Sequence, residues 1–485
     1  MVFDLLIIGG GINGAGLARD AALRGLRVFL VDKGDFASGT SSKSSKMIHG
    51  GLRYLEQGNF KLVYESCHER NLLLRIAGHL VSPLPVIFPV YREDPRSFLK
   101  VKAGMFLYDL LASFQNIRRH RILTPAELKN LEPGLNSDGI AGGALYYDAR
   151  MNDARFCLEN ILSAKENGAV CLNYVEVLSF IKEKGRVCGA LLRNHENGEE
   201  WTVQAGVIVN ATGPWADNIL ELSRSGHKRQ LRTTKGVHLI SKGPSVGKGV
   251  LFTAKSDGRI IFVLPWEGNS LIGSTDTDYD GDPANACATR EDVDYLLKEV
   301  NRLFPDAKLG LDDIITTFAG VRPLLNTLGG AASSLSREHL IHEDENGLIS
   351  ILGGKYTTFR LVAEQTMKKI SRKLSFHPIK PCQTKRLPLR RNFPEFQDER
   401  LKERFCPHHE FIKADIIHAF QDEEAKTLSD FLSRRTTIIY SPCMGRDCIH
   451  EVSKTLKEFL DWDEDKLRRQ SESYFRELEL NQSFK

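Results

Sequence analysis

Glycines near the N-terminus have the spacing of a nucleotide-binding turn. An apolar run over residues 5–8 leads directly into Gly9, Gly11 and Gly14, and a β-branched run over residues 28–31 ends at Asp32. In a strand, turn and helix unit of this kind, Gly9 makes the tight turn and Gly11 lets backbone approach a pyrophosphate. Gly14 allows close helix packing, and Asp32 accepts hydrogen bonds from a ribose. The pattern predicts a dinucleotide site.

Two later strand ends indicate which dinucleotide. One buried-looking strand runs into Ala211, Thr212 and Gly213, and another, over residues 348–352, ends before Gly354 and enters a helix. Ligands in open α/β sheets sit at such strand ends. Three of them, spread over much of the chain, predict one nucleotide domain that is interrupted by insertions and holds a long ligand. FAD fits this arrangement better than NAD.

A serine-rich stretch follows the first strand, turn and helix unit. Residues 38–46 hold five serines and lead into a His-Gly-Gly-Leu-Arg-Tyr-Leu run over 49–55. The stretch comes directly after the strand that places Asp32, which favours a loop that wraps phosphate or flavin. A flexible linker is the alternative.

Four cations stand beside strand ends or glycine turns, as a phosphate site requires. They are Arg53, Arg322, Arg337 and Lys355. A doubly ionised phosphomonoester needs several cations or backbone donors, and arginine offers a fork of donors. The alternative for each is an ordinary surface side chain.

Two histidines are candidates for proton transfer. Neutral histidine is the usual general base near pH 7. His238 begins a predicted strand and is the first choice, while His49 precedes a glycine pair and is better placed to position or tune a flavin. Tyr54 and Thr357 are candidate hydroxyl donors. Packing in the core is the alternative for both histidines.

The remaining elements must carry these residues. Residues 237–275 have the β-branched runs and glycine turns of an antiparallel sheet. From about residue 381 the apolar spacing is that of amphipathic helices. We predict an α/β fold with a discontinuous Rossmann-like FAD-binding domain (1–85, 149–225 and 336–380), a β-sheet-based substrate cap domain (86–148 and 226–335) and a small α-helical C-terminal domain (381–485).

Composition narrows the class of protein. The 485 residues include 66 basic and 62 acidic side chains, for a net charge of +4, which argues against nucleic-acid binding. Nine scattered cysteines favour a reduced cytoplasmic protein. No leader and no apolar run of about 20 residues is apparent, so any membrane contact is expected to be peripheral.

The motifs together resemble one family. The stretches 40–55, 210–215, 320–324 and 353–358, joined to the glycine fingerprint, are similar to FAD-dependent glycerol-3-phosphate dehydrogenases, within the glycine-oxidase-like flavoproteins. The resemblance covers residues 1 to about 375 and is looser beyond. It implies oxidation of sn-glycerol 3-phosphate to dihydroxyacetone phosphate by hydride transfer from C2 to flavin N5, with electrons passed to a quinone. It also implies peripheral membrane association, at the cytoplasmic face of the membrane, and a possible homodimer.

With the resemblance, the expected site residues fall into three groups. The catalytic candidates are His238, Arg322 and His49, and the substrate-binding candidates are Arg53, Tyr54, Arg322, Arg337, Lys355 and Thr357. The FAD-binding candidates are Gly9, Gly11, Gly14, Asp32, Thr40, Ser41, Ser42, Ser45, Lys46, His49, Gly50, Leu52, Ala211, Thr212, Gly213, Gly354, Lys355, Thr357 and Thr358.

Two further segments leave alternatives open. Residues 98–114 are rich in Leu, Phe and Val and precede the basic residues 118–121, which suits either an interfacial segment or a cap-domain core helix. Cys406, Cys443 and Cys448 offer soft ligands, but the Cys-x4-Cys spacing is not a standard zinc motif, so we predict no metal site.

Two other functions fit the same scaffold. One is an oxidase or dehydrogenase of an amine or a 2-hydroxy acid, which would need fewer cations around the substrate. The other is a flavin-binding module without turnover. A phosphate requirement distinguishes the first from the expected activity, and anaerobic bleaching of the flavin by substrate excludes the second.

Overall fold

The computed structural model describes residues 2–244, 247–326, 337–374, 378–389 and 393–485. The strands in these ranges are β1 (Val2–Ile8), β2 (Val28–Val31), β3 (Met47–Ile48), β4 (Val81–Tyr91), β5 (Arg121–Leu123), β6 (Ile140–Met151), β7 (Val170–Leu172), β8 (Val175–Glu183), β9 (Arg186–Asn194), β10 (Glu200–Asn210), β11 (Leu231–Ser241), β12 (Gly249–Thr253), β13 (Ile260–Trp266), β14 (Asn269–Gly273), β15 (Thr277–Asp278), β16 (Ile314–Leu325), β17 (His339–Glu343) and β18 (Ile349–Gly353).

The helices of the same ranges are α1 (Ile12–Leu23), α2 (Phe60–Ile76), α3 (Phe98–Leu111), α4 (Pro125–Leu131), α5 (Asp153–Glu166), α6 (Ala216–Ser223), α7 (Arg290–Leu303), α8 (Phe359–Lys373), α9 (Lys413–Gln421), α10 (Leu428–Asp430), α11 (Ile449–Leu460) and α12 (Glu464–Asn481).

The first sheet brings distant strand ends to one edge. Its strand order is β17, β18, β10, β1, β2 and β7, with β8 and β9 extending it beside β10. β1 pairs in parallel with β2 and β10, and β10 pairs in parallel with β18. Parallel strands end on the same side, so Gly9, Asp32, Ala211 and Gly354 follow neighbouring strand ends.

The glycine turn allows helix α1 to pack tightly on this sheet. Gly9 has φ +106°, a left-handed conformation that favours glycine. A Cβ on Gly14 would lie 1.9 Å from the carbonyl oxygen of Gly9, so no larger residue fits without movement of the helix. The first turn of α1 therefore lies directly beside the end of β1.

The second sheet carries the predicted cap. Its order is β15, β11, β14, β13, β12, β4, β6 and β3, with β16 beside β11 and β5 beside β6. The antiparallel sheet predicted for residues 237–275 forms strands β11 to β14. β11 pairs along its whole length with β16, which sets Thr234 opposite Arg322 and His238 opposite Phe318.

The observed strands do not stop at the predicted domain boundaries. β4 crosses the boundary expected at 85/86, and β6 crosses the one at 148/149, because the two strands pair from Val81 with Met151 to Tyr91 with Ile140. The short β3 joins the same sheet through Met47 and Arg150. The boundary expected at 335/336 lies outside the described residues.

The C-terminal segment is helical, as predicted, and it is anchored by buried charges. Asp35 accepts hydrogen bonds from Arg434 at 2.6 Å and from both guanidinium nitrogens of Arg435 at 2.6 and 2.9 Å. Burial by itself raises the pKa of Asp35, but the two arginines bring it down to about 2. A buried carboxylate that keeps its charge ties the helical segment to the glycine-turn region.

The α/β fold, its interrupted nucleotide-binding sheet, the second sheet and the helical C-terminal part confirm the predicted fold class. Within the described ranges, no helix combines the length and apolarity needed to cross a bilayer.

Candidate active site

A cavity of about 960 Å³ lies between the two sheets. The strand ends of the first sheet line one part of it, including Gly9 and Asp32. The second sheet and the loop after the serine-rich stretch line the other part, including His49, His238 and Arg322. The volume is at the upper end of the range for ligand and cofactor sites.

The N-terminus of α1 opens into this cavity. Gly11 is the N-cap and has no side chain to cap the helix, while Ser41 Oγ accepts a hydrogen bond from the Ile12 amide at 2.9 Å. Gly9, Gly11 and Asn13 line the cavity here. The positive end of the helix and its free first-turn amides suit a pyrophosphate.

Asp32 has the position expected of a ribose acceptor. It lines the cavity and accepts hydrogen bonds from the amides of Gly10, at 2.6 Å, and Gly34, at 2.9 Å. Burial outweighs these bonds and raises the pKa of Asp32 to about 6. The two amides fix the orientation of the carboxylate.

The serine-rich loop divides into residues at the cavity and residues behind it. Thr40, Ser41 and Ser45 line the cavity, but the side chains of Ser42 and Lys46 do not. Lys46 lies in the interior, where its Nζ donates to Asp153 Oδ1 at 2.5 Å and to the Ser42 carbonyl at 2.6 Å. The Lys46 side chain thus takes part in a buried ion pair and lies outside the cavity lining.

The other predicted site residues also divide into those that line the cavity and those that lie behind it. Ala211, Thr212, Gly213, His49, Gly354, Lys355 and Thr357 line the cavity, whereas Gly14, Gly50, Leu52 and Thr358 support it from behind. The Gly50 amide donates to Asp148 Oδ1 at 3.0 Å, and the Thr358 hydroxyl donates to the Lys355 carbonyl at 3.3 Å. These residues shape the backbone that borders the cavity.

The four predicted cations meet around one tyrosine. Burial raises the pKa of the Tyr54 phenol, but nearby positive charge outweighs burial and brings the pKa below its usual value. The contributing cations, in order of influence, are Lys355, Arg337, Arg53 and Arg322. Lys355 Nζ lies 4.8 Å, and the Arg53 guanidinium carbon 5.6 Å, from the centre of the Tyr54 ring.

Lys355 and Arg322 are held by short contacts. Lys355 Nζ donates to the His49 carbonyl at 3.2 Å and to Ser66 Oγ at 3.0 Å. Arg322 donates to Ser274 Oγ at 2.7 Å. Burial lowers the pKa of Arg322 to about 10, which means that keeping its guanidinium charged costs free energy. Arg53 does not line the cavity but acts on it through its charge.

Sequence analysis missed the acid of this cluster. Asp276 accepts from Arg322 Nη1 at 3.2 Å and from Arg337 Nη2 at 3.0 Å, and its side chain is 7% exposed. Burial raises the pKa of Asp276, but the two arginines lower it overall. Its position directly after the β14 strand end was the available signal. One carboxylate among four cations leaves an excess of positive charge for an anionic ligand.

His238 is neutral, and one of its two ring nitrogens has a hydrogen-bond partner. Its Nε2 lies 2.8 Å from Ser45 Oγ, its ring stacks on Phe318 at 4.9 Å, and its Nδ1 has no hydrogen-bond partner in the described part of the chain. Burial, followed by the charges of Arg322 and Lys46, lowers the pKa of His238 well below its usual value. The pKa of His49 is lowered in the same way, by burial and then by Lys355 and Arg53.

A further part of the cavity has no motif in the sequence. Beyond Asp32 it is lined by Val175, Glu176, Val177, Leu178, Asn218, Ile219 and Leu222. These are ordinary strand and helix residues, and only the folded sheet places them next to the ribose acceptor. The cavity thus extends from this end, past the helix α1 terminus, to the cations.

Comparisons with known proteins agree with this arrangement. Residues 4–360 match the family model described as FAD dependent oxidoreductase, and residues 383–467 match the one described as the C-terminal domain of alpha-glycerophosphate oxidase. Two bacterial relatives cover nearly the whole chain. A glycerol-3-phosphate dehydrogenase of Synechocystis is 37% identical (99% of this chain, 97% of the relative), and an aerobic glycerol-3-phosphate dehydrogenase of Staphylococcus epidermidis is 33% identical (99% and 94%).

Solved structures show the same fold. The crystal structure of the glycerol-3-phosphate dehydrogenase from Bacillus halodurans complexed with FAD aligns with a TM-score of 0.79 at 29% identity, over 99% of this chain and 95% of that one. An L-alpha-glycerophosphate oxidase from Mycoplasma pneumoniae aligns with a TM-score of 0.62 at 20% identity, over 81% of this chain and all of that one, which supports the fold alone.

The fold, the glycine turn and the family match define an FAD-dependent oxidoreductase. The predicted cofactor is confirmed, and the cavity fits it, because a glycine-lined turn, the N-terminus of α1 and the Asp32 carboxylate border one long space. Within this class, the chain belongs to the family of FAD-dependent glycerol-3-phosphate dehydrogenases, as its sequence resemblance indicated.

The Asp276 bridge gives a prediction about anion binding. Asp276→Asn leaves two buried arginines without their carboxylate, so the free energy of unfolding in phosphate-free buffer should fall by about 3–5 kcal/mol. Added inorganic phosphate should restore more stability to this variant than to the wild type, because it replaces the missing charge. Thermal melting of the holoprotein, with and without phosphate, measures both effects.

Asp280→Asn is the matched control, since Asp280 pairs with the exposed Arg229 at the surface. It should melt close to the wild type and respond to phosphate like it. Wild-type melting of Asp276→Asn would contradict the role assigned to the bridge.

Proposed function

We propose that this enzyme oxidises sn-glycerol 3-phosphate to dihydroxyacetone phosphate. The observation that carries the proposal is the cluster of four cations around Tyr54, of whose charge Asp276 neutralises only a part. A carboxylate substrate, as in an amino-acid or hydroxy-acid oxidase, would need less positive charge. A phosphate dianion would neutralise the excess.

The cations have separate tasks in this proposal. Arg322 and Arg337 would bind the phosphate as charged forks, held in place from behind by Asp276. Lys355, which the His49 carbonyl and Ser66 hold beside Tyr54, would add a point charge, and Arg53 would contribute at longer range. Tyr54 and Thr357 would donate to substrate oxygens.

Binding the phosphate would fix the alcohol carbon of the substrate near His238. FAD, when bound, supplies N5 as the acceptor of the hydride from C2. The depressed pKa of His238 keeps its imidazole neutral at physiological pH, and the residue lines the cavity. A neutral imidazole beside the substrate is what a base for the C2 hydroxyl proton requires. Ser45 and the stacked Phe318 hold the ring in position.

The central test is anaerobic reduction of the bound flavin. Glycerol 3-phosphate should bleach the flavin absorbance, while glycerol, simple amines and 2-hydroxy acids at the same concentration should not. Absence of bleaching by glycerol 3-phosphate would refute the proposal, and bleaching by an amine or a 2-hydroxy acid would favour the alternative chemistry.

The phosphate site can be tested separately. Arg337→Met removes a charged hydrogen-bond donor and should raise KM for glycerol 3-phosphate by about 10- to 100-fold. Arg229→Met is the control, because Arg229 is half exposed and pairs with the exposed Asp280. Steady-state kinetics with an artificial electron acceptor measure both variants, and an unchanged KM for Arg337→Met would remove Arg337 from the site.

The base has a pH signature of its own. Burial and nearby cations depress the pKa of His238, so its ring should stay neutral down to pH 6.5, the usual pKa of a histidine side chain. The wild-type rate of flavin reduction should therefore not fall between pH 8 and pH 6.5. His238→Asn should lower the rate by about 10²- to 10⁴-fold throughout this range. Stopped-flow reduction measures it. A variant with wild-type rates above pH 8 would show that His238 is not the base.

We also propose peripheral membrane association and transfer of electrons to a quinone. One face of α3 packs in the core through Val101, Met105 and Tyr108. The opposite face exposes the apolar side chains of Leu99 (77%), Phe106 (60%) and Leu110 (48%), and Phe114 (45%), just beyond the helix, is exposed as well. The exposed Arg118, Arg119 and Arg121 follow directly. The interpretation as a cap-domain core helix therefore describes the buried face of α3, and the interpretation as an interfacial segment would describe the exposed face. An exposed apolar face beside cations suits an anionic lipid surface.

The homodimer remains a prediction.

Replacing Leu99, Phe106 and Phe114 with serine should abolish flotation with anionic vesicles, because it removes the apolar contact area and leaves the basic residues unchanged. The control replaces Leu340 and Leu480, which are exposed apolar residues outside α3, and should float like the wild type. Equal flotation of the two variants would argue against α3 as the contact surface.

A further inference from the structure

Three cysteines from separate loops of the C-terminal segment come together. Cys406 lies in the loop before α9, whereas Cys443 and Cys448 lie in the turn before α11. Their Sγ atoms all lie within 4.8 Å of one another, and no other group of three or more candidate ligands occurs in the described residues. Cys406 and Cys448 are buried, and Cys443 is half-buried.

The sulfur spacing suits a metal ion. In a tetrahedral zinc site each thiolate lies about 2.3 Å from the metal, which sets the sulfurs about 3.8 Å apart. The three thiols are therefore close enough to share one ion after small side-chain rotations. The remaining cysteines of the chain lie outside this group.

A fourth ligand stands beside the thiols. His409, in the same loop as Cys406, has its Nε2 3.4 Å from Cys443 Sγ and 3.1 Å from Ser441 Oγ. The partly buried ring can turn from the serine towards the thiols. The ligands then form a Cys-x2-His pair and a Cys-x4-Cys pair, and three sulfurs with one imidazole make up a common set for structural zinc.

Two of the thiols lie beside polar groups of the same turn. Cys448 is the N-cap of α11, a helix of twelve residues, and its Sγ lies 3.5 Å from the Gly445 carbonyl. Ser441 Oγ lies 3.4 Å from Cys443 Sγ, and its hydroxyl donates to the Ile438 carbonyl at 2.6 Å. None of these residues lines the active-site cavity.

We propose that Cys406, Cys443, Cys448 and His409 bind one zinc-like divalent ion that joins the two loops. The ion would hold the turn at 443–448 against the loop that precedes α9. Tyr440, just before that turn, packs on Phe318 at 5.2 Å, and Phe318 stacks on His238. The role is structural, and it is independent of the reaction proposed above.

The first test is metal analysis of the holoenzyme, purified without chelators and under reducing conditions. About one zinc per chain is expected. The double variant Cys443→Ser with Cys448→Ser should lose it, and the control Cys188→Ser, with a thiol on β9, should keep it. His409→Asn should weaken zinc retention against a chelator, while His408→Asn, which changes the neighbouring exposed histidine, should not.

The wild type gives a second readout that does not depend on folding of the variants. Cobalt(II) added to metal-depleted protein should produce thiolate-to-cobalt charge transfer and the visible bands of tetrahedral cobalt, and zinc should abolish them. Removal of zinc should lower the melting temperature without changing the flavin spectrum. Metal-free protein that gives no cobalt spectrum, zinc that persists in the double cysteine variant, or a Cys443 to Cys448 disulfide would overturn the proposal.

Discussion

Burial of positive charge is the constraint on which the active site depends. Cations taken out of water lose hydration, and like charges repel, so a cluster of this kind forms only where other contacts compensate. Asp276 neutralises part of the charge of two arginines, and fixed carbonyls and hydroxyls hold the rest. The lowered pKa of Arg322 shows that compensation is incomplete. The anionic substrate that we propose would complete the compensation, so the free-energy cost of the unliganded site would favour binding.

The two sheets contribute different kinds of groups to the site. The parallel sheet supplies glycine turns and an uncapped helix N-terminus, which offer backbone amides at close range. The antiparallel sheet supplies side chains, since Arg322 and His238 lie on the paired strands β16 and β11. Gly236 leaves room for the Arg322 guanidinium, because a Cβ there would lie 2.0 Å from Arg322 Nη2. On the proposed function, cofactor and substrate would be bound by different physical means at the two ends of one cavity.

Much of this could be predicted from sequence because the relevant signals are local. A glycine at Gly9 or Gly14 reflects a backbone conformation and a close approach within one strand and helix unit. The strand ends before Asp32 and Gly213 can likewise be recognised from residues that are close together in the sequence. Lys46 shows the limit, because its motif position resembled that of its neighbours, yet its side chain turned inwards to Asp153, more than one hundred residues away. Direction of a side chain in a loop depends on partners that the motif does not contain.

The sequence by itself determined the class of fold, the cofactor and the identity of the four cations, because each depends on residue types at fixed spacing along the chain. Only the tertiary structure decided that these cations meet around Tyr54, that Asp276 bridges two of them and that three cysteines share one place. These facts depend on pairing between strands and packing between loops, and the reach of charges and ligands is set by distance in space, whatever their separation along the chain.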